Sequence, residues 1–438
     1  MTPLAIGVLF TILLFLLIGL RVPVAVSMLV AAIGGILVIQ GWRAAAFQLG
    51  AVPFASTAYA LSVVPLFVLM GAFAARTGLA RELYDAANAM TGHRRGGLAM
   101  GTVAGCAGFS TICGSSLATA ATMGGVSLKE MTRYGYDNRL SSGAVAAGGT
   151  IGILIPPSVI LVIYAILTEQ SVGALFAAGL LPGILLTALF MVTIWLWARL
   201  RPGAAPRSDR LPWRQRLQAL AGIWAVLLLV LLVIGGIYTG FFTPTESAGI
   251  GAFGTFLIGL ARRRFTAKIL IECLLEAAVT TAMIFLIIFG SSLFSTFLTV
   301  TGITQALSAL TSQSGLAPIT ILLLMLVVLM VLGCFMDSLG IVLLTVPVFF
   351  PVLMTLDFGL GAVETGIWFG ILLVMTVEMG LITPPVGMNV FIVRGVAPDI
   401  PIGRIYAGVL PFLIAFLAAI AFILLLPEIA LWLPGRLS

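Results

Sequence analysis

Two pairs of consecutive prolines, Pro156-Pro157 in "GILIPPS" and Pro384-Pro385 in "GLITPPV", interrupt long apolar stretches in the two halves of the chain. A proline has no backbone N–H, so a pair inside a helix leaves carbonyl oxygens of the preceding turn without their usual donors. At membrane depth such broken backbone persists only inside protein or along an aqueous cavity. Free carbonyl dipoles with hydroxyls beside them suit a small hard cation. The first half offers Ser115, Ser116 and Thr119 in a glycine-rich segment, with Gly149, Thr150 and Gly152 before the prolines. The second half offers Asp337, Ser338 and Gly340, then Gly380, Thr383 and Pro384, with Asn389 following on the same unwound segment. The competing reading for each is packing, since hydroxyls in membrane helices commonly bond the preceding turn. Asp337 stands out, because a carboxylate between "MVLGCFM" and "SLGIVLLTVPVFFP" would cost roughly 2.5 to 3.5 kcal/mol at mid-bilayer. It needs a partner: a cation, Ser338, backbone donors, or a proton. Glu378, before Gly380, serves the same site or sits at the interface, and Glu246 in "TPTESAG" reads as a helix-start carboxylate.

Other chemistries lack their residues. The single histidine, His93, cannot supply haem ligation, and the four cysteines form no CxxC motif, so disulfides, zinc and haem are not expected. An intramembrane aspartyl protease needs two facing aspartates, and mid-span only Asp337 qualifies. No GxxxxGK[ST] phosphate loop is present. The chain is read as a non-enzyme without cofactor, other than coupling ions. Paired hairpins with unlike tips favour an occluding carrier over a channel.

The elements that must position these residues are membrane helices. The chain is 61% apolar and 8% charged, with mean hydropathy +1.22. A bilayer is therefore its solvent, and each crossing takes about 20 apolar residues. The net charge of +7 resides in short loops, which is the positive-inside pattern rather than a nucleic-acid face. The loop 201–218, which overlaps the arginine-rich "RLRPGAAPRSDRLPWRQR" of Arg199 to Arg216, is placed in the cytoplasm. Working outward from it gives scaffold spans within 4–75 (the third over 50–75), an amphipathic arm at 76–96, a re-entrant hairpin at 97–126, a broken span at 141–167 and a span at 172–198. The second half, 219–438, has scaffold spans in 219–299, a hairpin at 317–351, a broken span at 366–395 and a last span at 406–427. The proline pairs match each other, the same offset pairs Gly105-Cys106 with Gly333-Cys334 and Ser110 with Ser338, and Thr77-Gly78-Leu79 matches Thr301-Gly302-Ile303. An odd number of crossings per half, 1–200 and 219–438, inverts the second copy. The expected fold is an all-α polytopic membrane protein, an inverted repeat of about ten spans plus two re-entrant hairpins.

The segment "LYDAANAMTGHRRGGLAMGTVAGCAGFSTICGSSLATAATMGGVSLKEMTRYGYDNRLSSGAVAAGGTIGILIPPS" closely resembles the large membrane subunit of tripartite ATP-independent periplasmic (TRAP) transporters. The likeness runs nearly end to end, through "RVPVA", "PLFVLMGAFAARTGL", "AGLLPG", "TPTESAG" and "MGLITPPVGMNVF". The resemblance implies a small four-helix membrane subunit and a periplasmic binding protein as partners, and sodium-driven uptake of an organic acid such as a dicarboxylate, keto acid or sialic acid. It implies an elevator motion of the ion-transporter-superfamily type in the bacterial inner membrane. It also implies sodium ligands at both hairpins and pre-proline segments, with an anionic substrate between the tips, near Ser116, Pro156, Pro157, Pro385 and Asn389. The alternative is a stand-alone cation-coupled carrier or antiporter, which the repeat alone does not distinguish.

Overall fold

In the computed structural model, which describes residues 1–55 and 59–437, the chain is helical, and no strand occurs among the described residues. A helix satisfies every backbone polar group within its own segment, which an apolar solvent demands. α1 (Pro3–Gly19), α2 (Val24–Gln40) and α3 (Trp42–Ala55) lead to α4 (Val63–Arg76) and the arm α5 (Leu79–Thr91), bent from α4 by 65°. The first hairpin is α6 (Gly97–Cys113) and α7 (Ser116–Arg133). The first broken helix is α8 (Asn138–Thr150) and α9 (Val159–Thr168), and α10 (Val172–Leu200) closes the half. After the loop come α11 (Trp213–Gly222), α12 (Trp224–Val230) and α13 (Gly236–Tyr238), then α14 (Pro244–Ala261) and α15 (Ala267–Thr301). The arm α16 (Ile303–Gln313), the hairpin of α17 (Pro318–Gly333) and α18 (Ser338–Leu353), the broken pair α19 (Ala362–Gly380) and α20 (Met388–Val396), and α21 (Ile402–Leu425) repeat the earlier order. The chain ends in α22 (Glu428–Leu431) and α23 (Pro434–Leu437).

The helix pairs α6–α7 and α17–α18 overlap the runs 97–126 and 317–351, and the interrupted helices α8–α9 and α19–α20 overlap 141–167 and 366–395. The single span predicted over 50–75 is not continuous: α3 ends at Ala55 and α4 begins at Val63, and residues 56–58 of that run lie outside the described residues. Gly50 and Pro53 are both accommodated within α3, and the interruption comes after Ala55; Pro65 sits in the first turn of α4, where no N–H is missed. Thr243 and Glu246 form the capping box expected at α14, with the Thr243 amide donating to Glu246 Oε2 at 2.8 Å. Among the described residues, four helices (α10, α15, α19 and α21) are long and apolar enough to cross a membrane, or six if each bent pair counts as one span. α1 and α2, with 17 residues each, reach about 25 Å at 1.5 Å per residue, near the lower limit for a crossing.

Packing interleaves the halves. α15 lies along α2 and α4; α20 packs on α7 and α8, while α9 packs on α18 and α19. α19 is buried on every side from Thr365 to Gly380, so it has no lipid face despite its hydropathy. By contrast α21 exposes Leu410, Ile414 and Leu417 at helical spacing, the face expected of a helix bordering hydrocarbon.

Gly78 (φ +84°) and Gly302 (φ +75°) turn into the two arms through the left-handed region, which a side chain disfavours, and both proline pairs are joined by cis peptide bonds. The predicted match of Ser110 with Ser338 fails in position. Ser110 lies inside α6 and bonds its own helix at Cys106 O, 2.5 Å away, whereas Ser338 opens α18. The residue placed like Ser338 is Ser116, which opens α7.

Candidate ion and substrate site at the hairpin tips

Each tip is built by a short polar residue that starts the returning helix. In the first, Gly114 (φ +61°) ends α6, and Ser115 Oγ accepts a hydrogen bond from the Ala118 amide at 3.4 Å. In the second, the Asp337 carboxylate accepts from the Gly340 amide at 3.1 Å. Both are N-cap geometries, which satisfy a donor the helix cannot satisfy itself. The next residue in each is a buried serine, Ser116 or Ser338, and both hydroxyls point to one side chain. Ser116 Oγ donates to Glu378 Oε2, and Ser338 Oγ donates to Glu378 Oε1 at 2.7 Å. Glu378 is 0% exposed, two residues before α19 ends at Gly380. A single carboxylate thus ties both hairpins to the second broken helix.

The close fit has a backbone cause. A Cβ on Gly380 would lie 2.5 Å from Gly333 Cα, so α17 and α19 touch main chain to main chain, which draws the second tip onto Glu378. On the other side Gly149 and Gly152 seat the first tip: a Cβ on either would lie 3.1 Å from Ser116 O or Ser115 O respectively. The second break is fastened to the second tip by the Gly387 amide, which donates to Cys334 O at 3.3 Å.

The remaining predicted residues divide. Thr150 and Thr383 hydroxyls bond their own helices, at Ala147 O (2.6 Å) and Met379 O (2.7 Å), as the packing reading expects. Thr119 Oγ1 is buried without a hydrogen-bond partner. Asn389 joins the halves: its Nδ2 donates to Ala146 O at 3.2 Å, while its Oδ1 is buried and unpartnered. Pro156 and Pro157 are buried, whereas Pro384 and Pro385 are exposed.

Asp337 is not the fully buried carboxylate that its apolar flanks suggest. It is half-buried and takes the backbone partner at its own tip, and Glu378 is the carboxylate enclosed by protein. Sequence reading named Glu378 without choosing it over an interfacial position. Its signal was an acidic side chain one turn from a helix break inside an apolar run. Tyr406 was missed: its hydroxyl lies 2.9 Å from Pro385 O and 2.6 Å from Val386 O, so α21 holds the second break from outside. No sequence pattern marked it. The assembled groups are oxygens with few donors, a constellation able to hold a cation and the polar end of a small molecule.

Two hairpins and two broken helices converging on enclosed polar groups, within a multi-pass helical membrane protein, define a membrane transporter. The family model described as "Tripartite ATP-independent periplasmic transporter, DctM component" matches residues 11–429, and the chain belongs to this family of TRAP large permease subunits. A C4-dicarboxylate TRAP transporter large permease of Pseudomonas aeruginosa is 38% identical over 382 residues, 87% of each chain. An isethionate TRAP transporter permease of Oleidesulfovibrio alaskensis is 32% identical over 96% of this chain and 65% of its own length. A sialic acid TRAP permease of Haemophilus influenzae is 30% identical over 86% of this chain and 60% of its own. Among solved structures, the YdaH transporter of Alcanivorax borkumensis shares the fold, with a TM-score of 0.63 over 98% of both chains at 15% identity. Membership implies a periplasmic binding protein and a small membrane subunit as partners.

Proposed function

We propose that this chain is the inner-membrane permease for sodium-driven uptake of an organic acid, with a carboxylate as substrate, delivered by a periplasmic binding protein and assisted by a four-helix subunit. The observation that carries the reading is Glu378, whose two oxygens take the hydroxyls of Ser116 and Ser338 and so join the hairpins at one enclosed polar centre. Sodium is held near the tips by serine and carbonyl oxygens of Ser115, Ser116, Asp337 and the two pre-proline segments. The substrate's anionic end lies between the tips, where Asn389 completes the site. The named substrates of the relatives above are all organic anions, C4-dicarboxylates among them.

The halves form an inverted repeat of about ten spans with two re-entrant hairpins, and an elevator motion exchanges their roles. The unequal burial of the two breaks supports this reading, with Pro156-Pro157 closed and Pro384-Pro385 open. The test is uptake of a carboxylate panel into proteoliposomes containing this chain and its small partner, with and without the binding protein. Uptake is expected to require both an inward sodium gradient and the binding protein, and to be lost in Ser116→Ala and Asp337→Ala proteins that still insert. Sodium-independent uptake would refute the coupling, and uptake without the binding protein would establish a stand-alone carrier instead.

A further inference from the structure

At the end of α10 a cavity of about 560 Å³ is lined by His93, Arg94, Arg95, Trp195, Arg199 and Arg207. The transport site uses none of them. The walls come from distant parts of the chain and are fastened by backbone. The Gly96 amide donates to Ala205 O at 3.3 Å, Ser208 to Gly92 O at 3.1 Å, and Asp137 to Ala204 O at 2.9 Å. The turn 92–96 and the linker 204–208 are thereby held to each other, and Gly96 lies against Ile194 and Ala198 of α10, so the cavity is part of the folded chain rather than a gap between loose side chains.

Its charge is uncompensated. The ion pairs among the described residues involve Arg76, Arg81 and Arg262, and none of the four lining arginines has a carboxylate within 4.0 Å. The remaining titratable wall, His93, faces a further cation, with Nδ1 3.4 Å from the Arg216 guanidinium. Guanidinium groups without carboxylates form a fork suited to phosphate oxygens.

The surroundings specify which phosphate. The Arg199 guanidinium lies 5.3 Å over the ring of Trp195, an exposed aromatic at a helix end, as found at headgroup level. From there Val192 and Leu196 run down the same helix into an apolar groove between α10 and α21, walled by Leu189, Leu410, Pro411 and Ile414, with Arg139 and Arg201 among its lining residues. Basic pockets beside apolar channels on the cytoplasmic side are where anionic headgroups bind. We propose that this cavity binds the phosphate of an anionic phospholipid whose acyl chains lie along α10 and in the α10–α21 groove.

The test is retention of phosphatidylglycerol by the purified full chain in detergent micelles, read by native mass spectrometry and by Tm, against phosphatidylcholine and inorganic phosphate. Phosphatidylglycerol is expected to be retained and to raise Tm, with little effect from the other two. The Arg94→Gln, Arg199→Gln, Arg207→Gln triple variant should weaken its binding about 100-fold, at roughly fivefold per charge, while Arg43→Gln leaves it unchanged. Equal retention of both lipids, or an unaffected triple variant, would overturn the proposal. An equal Tm rise from inorganic phosphate would make this a soluble-anion site. Should the triple variant not fold, the wild-type chain decides: rising salt must release phosphatidylglycerol selectively.

Discussion

Removing one of the serines that meet Glu378 tests whether the carboxylate holds the tips together. Ser338 Oγ donates to Glu378 Oε1 at 2.7 Å with both residues buried, so Ser338→Ala deletes a hydrogen bond to an acidic acceptor without opening a cavity larger than the hydroxyl. Hydrogen bonds to charged groups contribute about 1.5–3 kcal/mol in water-soluble proteins. Polar contacts inside membrane proteins average about 0.6 kcal/mol and reach about 1.7, because the unfolded state in detergent also finds partners. The lower end of the first range and the upper end of the second meet at about 1.5 kcal/mol, the expected coupling. It is read from a cycle of wild type, Ser338→Ala, Glu378→Met and the double variant, each unfolded with an ionic detergent in mixed micelles and followed by circular dichroism. In the Glu378→Met background Ser338→Ala should cost almost nothing, since the acceptor is gone. Ser110→Ala provides the comparison, as its hydroxyl bonds within α6 and should show no coupling to Glu378. A Ser338–Glu378 coupling below about 0.3 kcal/mol, the scatter expected of independent sites, would refute the shared-carboxylate account.

Gly380→Ala should destabilise the chain by about 1–3 kcal/mol in the same assay, because its Cβ would fall 2.5 Å from Gly333 Cα and backbone cannot yield as a side chain can; Gly19→Ala, with open space around it, should be close to neutral. His93, in the turn after α5, is held below the ordinary imidazole value first by desolvation and then by Arg216, Arg210, Arg94 and Arg207. Because it is the single histidine, one resonance follows its titration. Arg216→Gln should move that titration to higher pH, and an unmoved midpoint would remove Arg216 as a cause.

How much of this was legible in the sequence depended on whether a property belongs to a residue or to a contact. The helix breaks at Pro156-Pro157 and Pro384-Pro385 follow from a missing donor, which proline carries anywhere, and the hairpin tips follow from glycines and short polar residues that start helices. Asp337 and Glu378 look alike to hydropathy, since both interrupt apolar runs. What separates them is local: Asp337 precedes the first turn of α18 and caps it, a preference of aspartate that could have been weighed, whereas Glu378 sits inside a helix with no backbone donor to accept from. That Glu378 meets Ser116 was beyond reach, because they are 262 residues apart in sequence. The mistaken register of Ser110 with Ser338 has a statistical cause: with 49 glycines in the chain, short matches of small residues recur by chance and pull an alignment off the true tips.

A carboxylate has two oxygens in one rigid plane, and here each is held by a different hairpin. The plane is therefore a fulcrum. Neither tip can withdraw without either turning the glutamate, which tilts the oxygen presented to the other tip, or breaking its own bond. Whatever loosens one tip is felt at the other through a single side chain, so the two hairpins behave as the arms of one lever rather than as two separate latches.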